Sequence, residues 1–281
     1  MRLIADSGST KTDWLGGNEK ISYPIIQTTG INPFHQSPEN IKHILIHELL
    51  PHLPKEITWD EIYFYGAGCT SEKSKLLKDI LQSLFPTTHI EVQSDLLGAA
   101  RALCGNQSGI TCILGTGSNS CLYDGKDIVS NISPLGYILG DEGSGAVLGK
   151  RLIGDCLKQQ LPPKICHTFM ETFGLTPATI IEKVYRQPQA NRFLASLTPF
   201  LSAHRDIPEI HQFLISCFTD FFRRNVMLYP YKQHTVHFIG SIAWHFQEEV
   251  KEAAKDLDIQ TGLFIQSPIE KLKEFHDIEN N

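Results

Sequence analysis

Several features that mark particular classes of protein are missing from this chain of 281 residues. No apolar run approaches the roughly 20 residues that a membrane-spanning helix requires, and no cluster of basic residues marks a nucleic-acid surface. With a formal net charge of −6, the chain therefore predicts neither nucleic-acid nor membrane partners. We expect a cytoplasmic protein, because residues 1–5 form a strand-like segment without the basic and apolar regions of a secretion signal.

The seven cysteines include no C-x-x-C pair, and their number is odd. Both facts argue against a disulfide framework or a zinc knuckle and indicate free thiols in a reducing compartment. Linkers and low-complexity tracts are also missing from the sequence. The length, with 41% hydrophobic and 20% charged residues, favours a globular protein of two domains.

The most informative pattern that is present covers residues 3–14, LIADSGSTKTDW. A short apolar strand leads to Asp6, and a loop of glycine and hydroxyl residues around Gly8 follows. Glycine permits a tight turn in which a ligand approaches the backbone closely, and consecutive N–H groups in such a turn bind anions. The stretch therefore predicts a phosphate-binding loop, although it fits neither of the two common phosphate-loop patterns.

The same pattern returns at residues 112–131, CILGTGSNSCLYDGKDIVSN. Each copy predicts a strand, a loop of small residues, a second strand, a glycine turn and a third strand. In the first copy, Gly16-Gly17-Asn18 is predicted to join strands at residues 12–15 and 21–26. Two copies at this distance indicate a duplicated structural unit.

Other predicted elements follow the periodicity of apolar residues and the positions of proline and glycine. Single helices are predicted at residues 38–50, 72–84, 95–103 and 243–257, and residues 143–229 are expected to be mostly helical. A third glycine loop, Gly240-Ser241, follows a strand at residues 235–239.

Three acidic positions are candidates for chemistry, and each also has a structural explanation. Asp6 could hold a hydrated Mg²⁺ against phosphates, or could cap its own turn. Asp95 opens a helix after a strand, so it could be the helix N-cap or a base that accepts a hydroxyl proton. Asp141 and Glu142, in LGDEGSG, could cap the next helix or bind sugar hydroxyls.

Two glycine-rich stretches resemble nucleotide loops only superficially. Residues 143–151 lack the P-loop glycine spacing and carry Arg151 where a P-loop has serine or threonine. Gly66-Ala67-Gly68 follows a strand but lacks the third glycine of a dinucleotide-binding loop.

The order of these motifs resembles the superfamily of acetate and sugar kinases, heat-shock ATPases and actin. LIADSGSTKTDW is similar to its first phosphate motif, CILGTGSNSCLYDG to the second, HFIGSIA to the adenosine motif and VQSDLLGAARAL to the first connecting helix. LGDEGSGAVLGKRLI and GINPFH are similar to the branch of N-acetylglucosamine kinases and BadF-BadG-BcrA-BcrD ATPases. The resemblance spans residues 3–243.

This resemblance implies an α/β fold of two duplicated ribonuclease H-like domains of the actin-like ATPase type. Each would be a mixed five-stranded sheet with flanking helices, and an ATP cleft would lie between them. The domains are expected at residues 1–108 and 109–267, the second with a helical insertion. The last helix, 268–281, could pack back on the first domain.

The resemblance also implies roles for individual residues. Asp95 would be the catalytic base, and Asp6 would bind Mg²⁺ through water. The nucleotide ATP would contact Gly8, Ser9, Thr10, Lys11, Gly115, Thr116, Gly117, Gly240 and Ser241. The sugar would contact Asn32, Asp95, Ser118, Asn119, Leu135, Gly136 and Asp141.

We therefore expect a homodimeric kinase that transfers the γ-phosphoryl group of ATP to an amino sugar, most plausibly forming N-acetylglucosamine 6-phosphate. Leu135 stands where N-acetylglucosamine kinases usually carry tryptophan, so N-acetylmuramic acid and glucosamine stay open as substrates. A BadF-type ATPase that activates a partner enzyme is a further alternative, but the sequence shows no cysteine pair in the context of an iron–sulfur cluster. A sugar sensor without catalysis is disfavoured, because both phosphate loops and Asp6 are present.

Overall fold

The computed structural model describes residues 1–8, 10–87 and 89–278. The chain divides into two compact units. Unit 1 contains Met1–Gln107, Asp124–Ile128 and the chain from Ser267 onward, and unit 2 contains Ser108–Tyr123 and Val129–Gln266.

Unit 1 is built on a five-stranded sheet in the order β3-β2-β1-β4-β5. The strands are β1 (Arg2–Ser7), β2 (Lys11–Gly17), β3 (Ile26–Thr29), β4 (Glu61–Gly66) and β5 (His89–Ser94). The pairs β1–β2 and β2–β3 are antiparallel, whereas β4 is parallel to both β1 and β5. The carboxyl ends of β1, β4 and β5 therefore meet at one edge of the sheet.

Four α-helices flank this sheet: α1 (Pro38–Ile44), α2 (Ser71–Leu84), α3 (Asp95–Cys104) and α13 (Ile269–Ile278). The last of these packs against α3, β1 and β2, because Ile269, Leu272 and Phe275 are apolar and fully buried. The His276 imidazole stacks on the Tyr63 ring with centroids 3.7 Å apart.

Two predictions in unit 1 are wrong in detail. Of the predicted turn Gly16-Gly17-Asn18, both glycines belong to β2, and only Asn18 lies in the turn, where its Oδ1 accepts two backbone N–H groups. A Cβ atom on Gly16 would lie 2.5 Å from the Trp59 ring. The glycine is therefore needed for the close packing of that ring on β2. The predicted strand at 21–26 lies instead at Ile26–Thr29, after Pro24, which has no N–H group for a ladder.

The helix predicted at residues 38–50 is also divided. After α1 the chain forms a π-helical turn, Leu45–Leu49, and then a 3₁₀ turn, Leu50–His52. Pro51 interrupts the helical hydrogen-bond ladder because it has no backbone N–H group, although Leu50 before it keeps α-helical φ and ψ, of −54° and −37°.

Unit 2 repeats the sheet of unit 1, with the strand order β10-β9-β6-β7-β8. Its strands are β6 (Gly109–Leu114), β7 (Ser118–Tyr123), β8 (Ile128–Ile132), β9 (Val236–Ile239) and β10 (Thr261–Ile265). As in unit 1, the first two strands are antiparallel and the two later strands run parallel to the first. The predicted duplication of a mixed five-stranded unit is confirmed.

The helices of unit 2 form a large insertion between β8 and β9 and a pair after β9. Those of the insertion are α4 (Gly136–Leu139), α5 (Gly145–Leu157), α6 (Pro163–Thr172), α7 (Pro177–Tyr185), α8 (Ala190–Ala195), α9 (Thr198–Ala203) and α10 (Pro208–Arg224). The helix predicted at 243–257 is two helices, α11 (Ser241–His245) and α12 (Gln247–Lys255), with Phe246 between them. Among the described residues, no helix is long and apolar enough to cross a membrane.

Candidate active site

The first predicted phosphate loop is the turn from β1 to β2, where Gly8 N–H donates to the Lys11 carbonyl at 3.0 Å. Gly8 and Thr10 are exposed, and Ser9 lies outside the described residues. Gly8 and Thr10 are therefore accessible to a ligand. The neighbouring hydroxyl residues Ser7 and Thr12 are fully buried, so they do not belong to the exposed loop.

Ser7 and Thr12 instead hold the turn in place. Their hydroxyl oxygens lie 2.6 Å apart, and both accept the N–H group of Ile31, at 2.9 and 3.1 Å. This arrangement attaches the turn to the segment that carries the next predicted residue, Asn32.

Asn32 is held by local hydrogen bonds. Its Oδ1 accepts the N–H group of Phe34 at 3.0 Å, and its own N–H group donates to Gln36 Oε1 at 2.9 Å. The Nδ2 group makes no hydrogen bond with any described residue, so it can donate to a ligand hydroxyl.

Asp6 is half-buried near the carboxyl end of β1 and faces other acids. Burial, followed by the charges of Asp95 and Asp13, raises its pKa to about 7, and Lys11 opposes the shift. Lys11 is shared, because its Nζ lies 2.8 Å from Asp13 Oδ2. The corner therefore carries an excess of negative charge.

This donor set fits Mg²⁺. The described residues contain no cluster of three or more His, Cys, Asp or Glu side chains arranged as a metal cage. Mg²⁺ rarely uses such a cage, since it keeps several waters and takes one or two carboxylates together with substrate phosphates. The repelling carboxylates of Asp6 and Asp95 supply the oxygens and the charge that a divalent cation would neutralise.

Asp95 is the first residue of α3, and it is not the N-cap. Ser94 takes that role, because its Oγ accepts the N–H group of Leu97 at 3.2 Å. Burial raises the pKa of Asp95, and hydrogen bonding to backbone N–H groups, including that of Leu96 at 2.9 Å, opposes the shift. A desolvated carboxylate of this kind has the proton affinity that a general base needs.

The second predicted phosphate loop is the turn from β6 to β7, residues 115–117. Gly115 N–H donates to the Gly117 carbonyl at 2.9 Å. The first N–H groups of α5 cover this turn from outside, Gly145 donating to the Gly115 carbonyl at 2.8 Å and Ala146 to the Thr116 carbonyl at 3.1 Å. The turn is thus built directly onto a helix N-terminus.

The small-residue loop predicted from the sequence, residues 115–120, is shorter in the structure, because residues 118–120 already belong to β7. Ser118 is buried, and its N–H group bonds the carboxylate of Asp141. Asn119 Oδ1 accepts the Asn131 side-chain amide at 2.9 Å. Ser118 therefore meets another predicted sugar residue, whereas Asn119 is engaged with its neighbouring strand.

Asp141 is buried and has a left-handed backbone, with φ of 55°. Burial raises its pKa to about 6, against the opposing hydrogen bond from Ser118. Its Oδ2 lies beside Gly117, where an added Cβ would be 3.1 Å away. A non-glycine residue in this conformation is unusual and is typical of functional sites.

Glu142 does not act with Asp141 as a pair. Its carboxylate bonds the Arg224 guanidinium and, at 3.3 Å, the Asn225 amide. The N-cap of α5 is Ser144, whose Oγ accepts the Val147 N–H group at 3.2 Å. The capping alternative for the two acids is wrong, and Asp141 alone stays available for a ligand.

Leu135 and Gly136 lie before Asp141 in a compact loop closed by the Asp141 N–H group, which donates to the Pro134 carbonyl at 2.8 Å. Both have positive φ, of 62° and 73°. Leu135 is 59% exposed, so its side chain faces outward from unit 2.

Gly240 and Ser241 connect β9 to α11. Gly240 has φ of 114°, and a Cβ there would lie 2.4 Å from the Leu114 carbonyl oxygen. Only glycine allows this approach, which brings the third predicted loop against the start of the second, near Gly115.

Unit 1 therefore brings together the predicted residues Asp6, Lys11 and Asp95, and unit 2 brings together Gly115, Gly117, Asp141 and Gly240. Sequence reasoning missed Asp13, although it follows the first loop closely and alternates with Lys11 along β2. It also dismissed Gly68, whose contact with Asn32 leaves no signal in the local sequence.

Comparison with known proteins supplies the family. No family model and no curated protein sequence matches the chain. Among solved structures, a Porphyromonas gingivalis protein named "Putative N-acetylglucosamine Kinase" is 49% identical, with 100% of both chains covered and a TM-score of 0.97.

More distant structures share the fold alone. A Chromobacterium violaceum protein with the same printed name is 16% identical over 98% of both chains, with a TM-score of 0.69. A ROK family glucokinase from Streptomyces griseus, in complex with glucose and AMPPNP, is 12% identical over 98% of both chains, with a TM-score of 0.57. The chain has the actin-like ATPase fold and belongs to the N-acetylglucosamine kinase-like family that the Porphyromonas gingivalis protein represents.

Proposed function

We propose that this protein is an ATP-dependent kinase that phosphorylates a hydroxyl group of an amino sugar, with N-acetylglucosamine and its 6-phosphate as the favoured substrate and product. The observation that carries the proposal is the placement of Asp95 as a desolvated carboxylate at a helix start, near a second acid, Asp6. The proposal is also supported by the 49% identical Porphyromonas gingivalis relative, which is named "Putative N-acetylglucosamine Kinase".

In the proposed reaction, the sugar hydroxyl attacks the γ-phosphorus of ATP, and ADP leaves. Asp95 accepts the hydroxyl proton as the new oxygen–phosphorus bond forms, and its raised pKa suits it to that role. Phosphoryl transfer otherwise needs positioning and charge neutralisation more than covalent chemistry.

Asp6 would hold Mg²⁺ in unit 1, and the metal, when bound, would neutralise phosphate charge. The first turn, with Gly8, Ser9, Thr10 and Lys11, would bind phosphate oxygens. Asp13 orients the Lys11 ammonium through their ion pair of 2.8 Å, so that the cation is held close to the turn.

Two segments of unit 2 would contact the nucleotide: the second phosphate turn, residues 115–117, and the loop at Gly240-Ser241. On the sugar side, Asp141 would accept hydrogen bonds from hydroxyl groups, with the Ser118 N–H group fixing its carboxylate. In unit 1 the free Nδ2 group of Asn32 would donate to a sugar oxygen.

A panel assay tests the proposal. Purified protein, ATP and Mg²⁺ would be incubated with N-acetylglucosamine, N-acetylmuramic acid, glucosamine, N-acetylmannosamine or glucose, and ADP release and sugar phosphate would be measured by coupled assay and mass spectrometry. We expect the highest kcat/KM with N-acetylglucosamine.

Preference for another amino sugar would correct the substrate within the same class. ATP turnover that no sugar stimulates would contradict the kinase assignment and favour an ATPase that serves a partner protein. The predicted homodimer would be measured separately, by sedimentation of the same preparation.

A further inference from the structure

The loop from β4 to α2, residues 66–70, lies at the same edge of the unit 1 sheet as the candidate base. The strand register places Ser7 beside Gly66 and Gly66 beside Ser94, which precedes Asp95. The Ala67 N–H group donates to the Ser7 carbonyl at 3.1 Å. The loop is therefore fixed between the strand ends that carry the reaction's candidate acids.

Within this loop, Gly68 supports the side chain of Asn32. Its φ is 75°, and a Cβ atom at this position would lie 2.2 Å from Asn32 Oδ1, 2.9 Å from Asn32 Cγ and 2.9 Å from Phe34 Cβ. Separations below 3.0 Å essentially never occur for real Cβ atoms. The carboxamide of Asn32 therefore rests directly on the bare backbone of residue 68, and no side chain fits there without moving it.

The remaining contacts of Asn32 leave it little freedom to move aside. Its Oδ1 is bound to the Phe34 N–H group, and its backbone is bound to Gln36. The preceding residue, Ile31, is held by the Ser7 hydroxyl through both its N–H and its carbonyl group, each at 2.9 Å. Pressure from residue 68 would therefore be transmitted to the carboxamide.

The same loop also reaches Asp95. Burial and, after it, the charge of Asp95 raise the pKa of the Cys69 thiol to about 12, which places Cys69 within the electrostatic reach of that carboxylate. Residue 68 thus adjoins the Asn32 carboxamide, and residue 69 lies within electrostatic reach of the candidate base.

We propose that Gly68 is a positioning residue for the acceptor sugar, because its missing side chain leaves the Asn32 carboxamide where it can bind the sugar beside Asp95. The inference rests on the proposed sugar kinase function. It assigns a role to Gly66-Ala67-Gly68-Cys69, a stretch that lacks the third glycine of a dinucleotide-binding loop.

The test compares Gly68→Ala with Gly105→Ala. Both glycines are in unit 1 and have positive φ, 75° and 58°, but a Cβ at Gly105 meets nothing within 4 Å. Both variants place an alanine at a positive φ, and only Gly68→Ala presses on Asn32. We expect Gly68→Ala to raise the KM for the sugar about tenfold or more, a misplacement effect, while the KM for ATP stays unchanged, and Gly105→Ala to leave both KM values unchanged.

A double variant shows whether the effect passes through Asn32. If it does, Asn32→Ala and Asn32→Ala/Gly68→Ala will have the same sugar KM, since coupled residues are not additive. The side-chain amide resonances of Asn32 in ¹⁵N-labelled protein should shift in Gly68→Ala and not in Gly105→Ala. If Gly68→Ala melts far below Gly105→Ala, the double variant should regain melting temperature, because the smaller residue 32 makes room for the methyl group.

Each other outcome has a distinct meaning. A sugar KM that rises equally in Gly68→Ala and Gly105→Ala, or effects of Asn32→Ala and Gly68→Ala that add fully, would overturn the role of Gly68 while leaving the kinase assignment intact. Unchanged Asn32 resonances in Gly68→Ala would overturn it as well. A wild-type protein that phosphorylates no sugar in the panel would instead contradict the proposed function, and the positioning role with it.

Discussion

The two strand–turn–strand motifs of the molecule share their position in the sheet but are held differently. Residues 8–11 separate the paired residues Ser7 and Thr12, whereas residues 115–117 separate Leu114 and Ser118. Buried hydroxyl groups fix the first turn, and the N-terminal N–H groups of α5 fix the second.

The surroundings of the two turns differ in charge as well. Three carboxylates, of Asp6, Asp13 and Asp95, influence one another near the first turn, whereas Asp141 is the carboxylate beside the second. Duplication therefore reproduced the backbone, and the side chains diverged. In the proposed mechanism, metal binding and proton transfer belong to unit 1, and both units contribute phosphate and sugar contacts.

The largest effect is expected for the candidate base in unit 1, Asp95, which has no counterpart among the described acids near the second turn. Asp95→Asn keeps the size of the side chain and removes the proton acceptor. We expect kcat for sugar phosphorylation to fall on the order of 100- to 10,000-fold, with the sugar KM little changed, as measured by steady-state ADP release. Asp79→Asn, an exposed aspartate on α2, is the control and should keep wild-type rates. Full sugar-dependent turnover in Asp95→Asn would contradict the assignment of the base.

The second prediction concerns the acid excess in unit 1. The pKa of Asp6, raised by burial first and by neighbouring carboxylates next, is about 7 against an ordinary 3.8. The native state therefore binds a proton that the unfolded chain releases, so the Asp6 carboxylate reduces stability as the pH rises from about 4 to about 7.

Asp6→Asn should therefore raise the free energy of unfolding at pH 8 by on the order of 1–2 kcal/mol, and the gain should disappear toward pH 4. Urea denaturation without Mg²⁺ or nucleotide, repeated across this pH range, measures it. For unit 2, Asp141→Asn should give a smaller gain that is complete by about pH 6, the pKa to which burial raises that group. A gain that does not vary with pH would contradict the electrostatic cause.

The third prediction compares the turns themselves. A Cβ at Gly117 would lie 3.1 Å from Asp141 Oδ2, whereas a Cβ at Gly8 would meet only the Lys11 carbonyl oxygen, at 3.9 Å. Gly117→Ala should displace the Asp141 carboxylate and raise the sugar KM on the order of tenfold, and Gly8→Ala should leave the sugar KM unchanged. Kinetics of both variants over a range of sugar concentrations measure the contrast, and equal sugar KM values would refute it.

The smallest expected effect is at Leu135. Because its side chain is 59% exposed, Leu135→Ala should change the free energy of unfolding by less than about 0.5 kcal/mol. If Leu135 adjoins the sugar, kcat/KM ratios across the sugar panel should still change about threefold, less than one well-placed contact contributes. Ile138→Ala, 72% exposed on the neighbouring α4, is the control. Identical sugar preferences in both variants would contradict a contact between Leu135 and the sugar.

The sequence predicted the sheets and the glycine loops well, because each depends on local patterns. Alternating and continuous apolar runs identified the strands, and the repeated order of small residues identified the duplication. The family resemblance then supplied the fold. Predictions failed where residues distant in sequence determine the structure. At Gly16, for example, the sequence pattern is that of a turn, and only the structure shows that the glycine packs against the Trp59 ring.

The candidate site shows the same limit. Asp95 and Ser94 are both good caps by residue type, and only the hydrogen bond from Leu97 to Ser94 separates the cap from the free acid. Likewise, Glu142 is next to Asp141 in sequence but is bound to Arg224 on α10. Local sequence spacing cannot predict that partner, because Arg224 lies 82 residues further along the chain.

Helix α13 has a consequence for how the protein is made. Domains form during synthesis from the N-terminus onward, and nearly all of unit 1 emerges from the ribosome before unit 2. Yet unit 1 is closed by Leu272, Phe275 and His276, whose Nε2 lies 2.8 Å from the Tyr65 hydroxyl. The half that carries the candidate base is therefore begun first and completed last, and α3, the helix that begins with Asp95, gains its packing against α13 only after the whole of unit 2 has been translated.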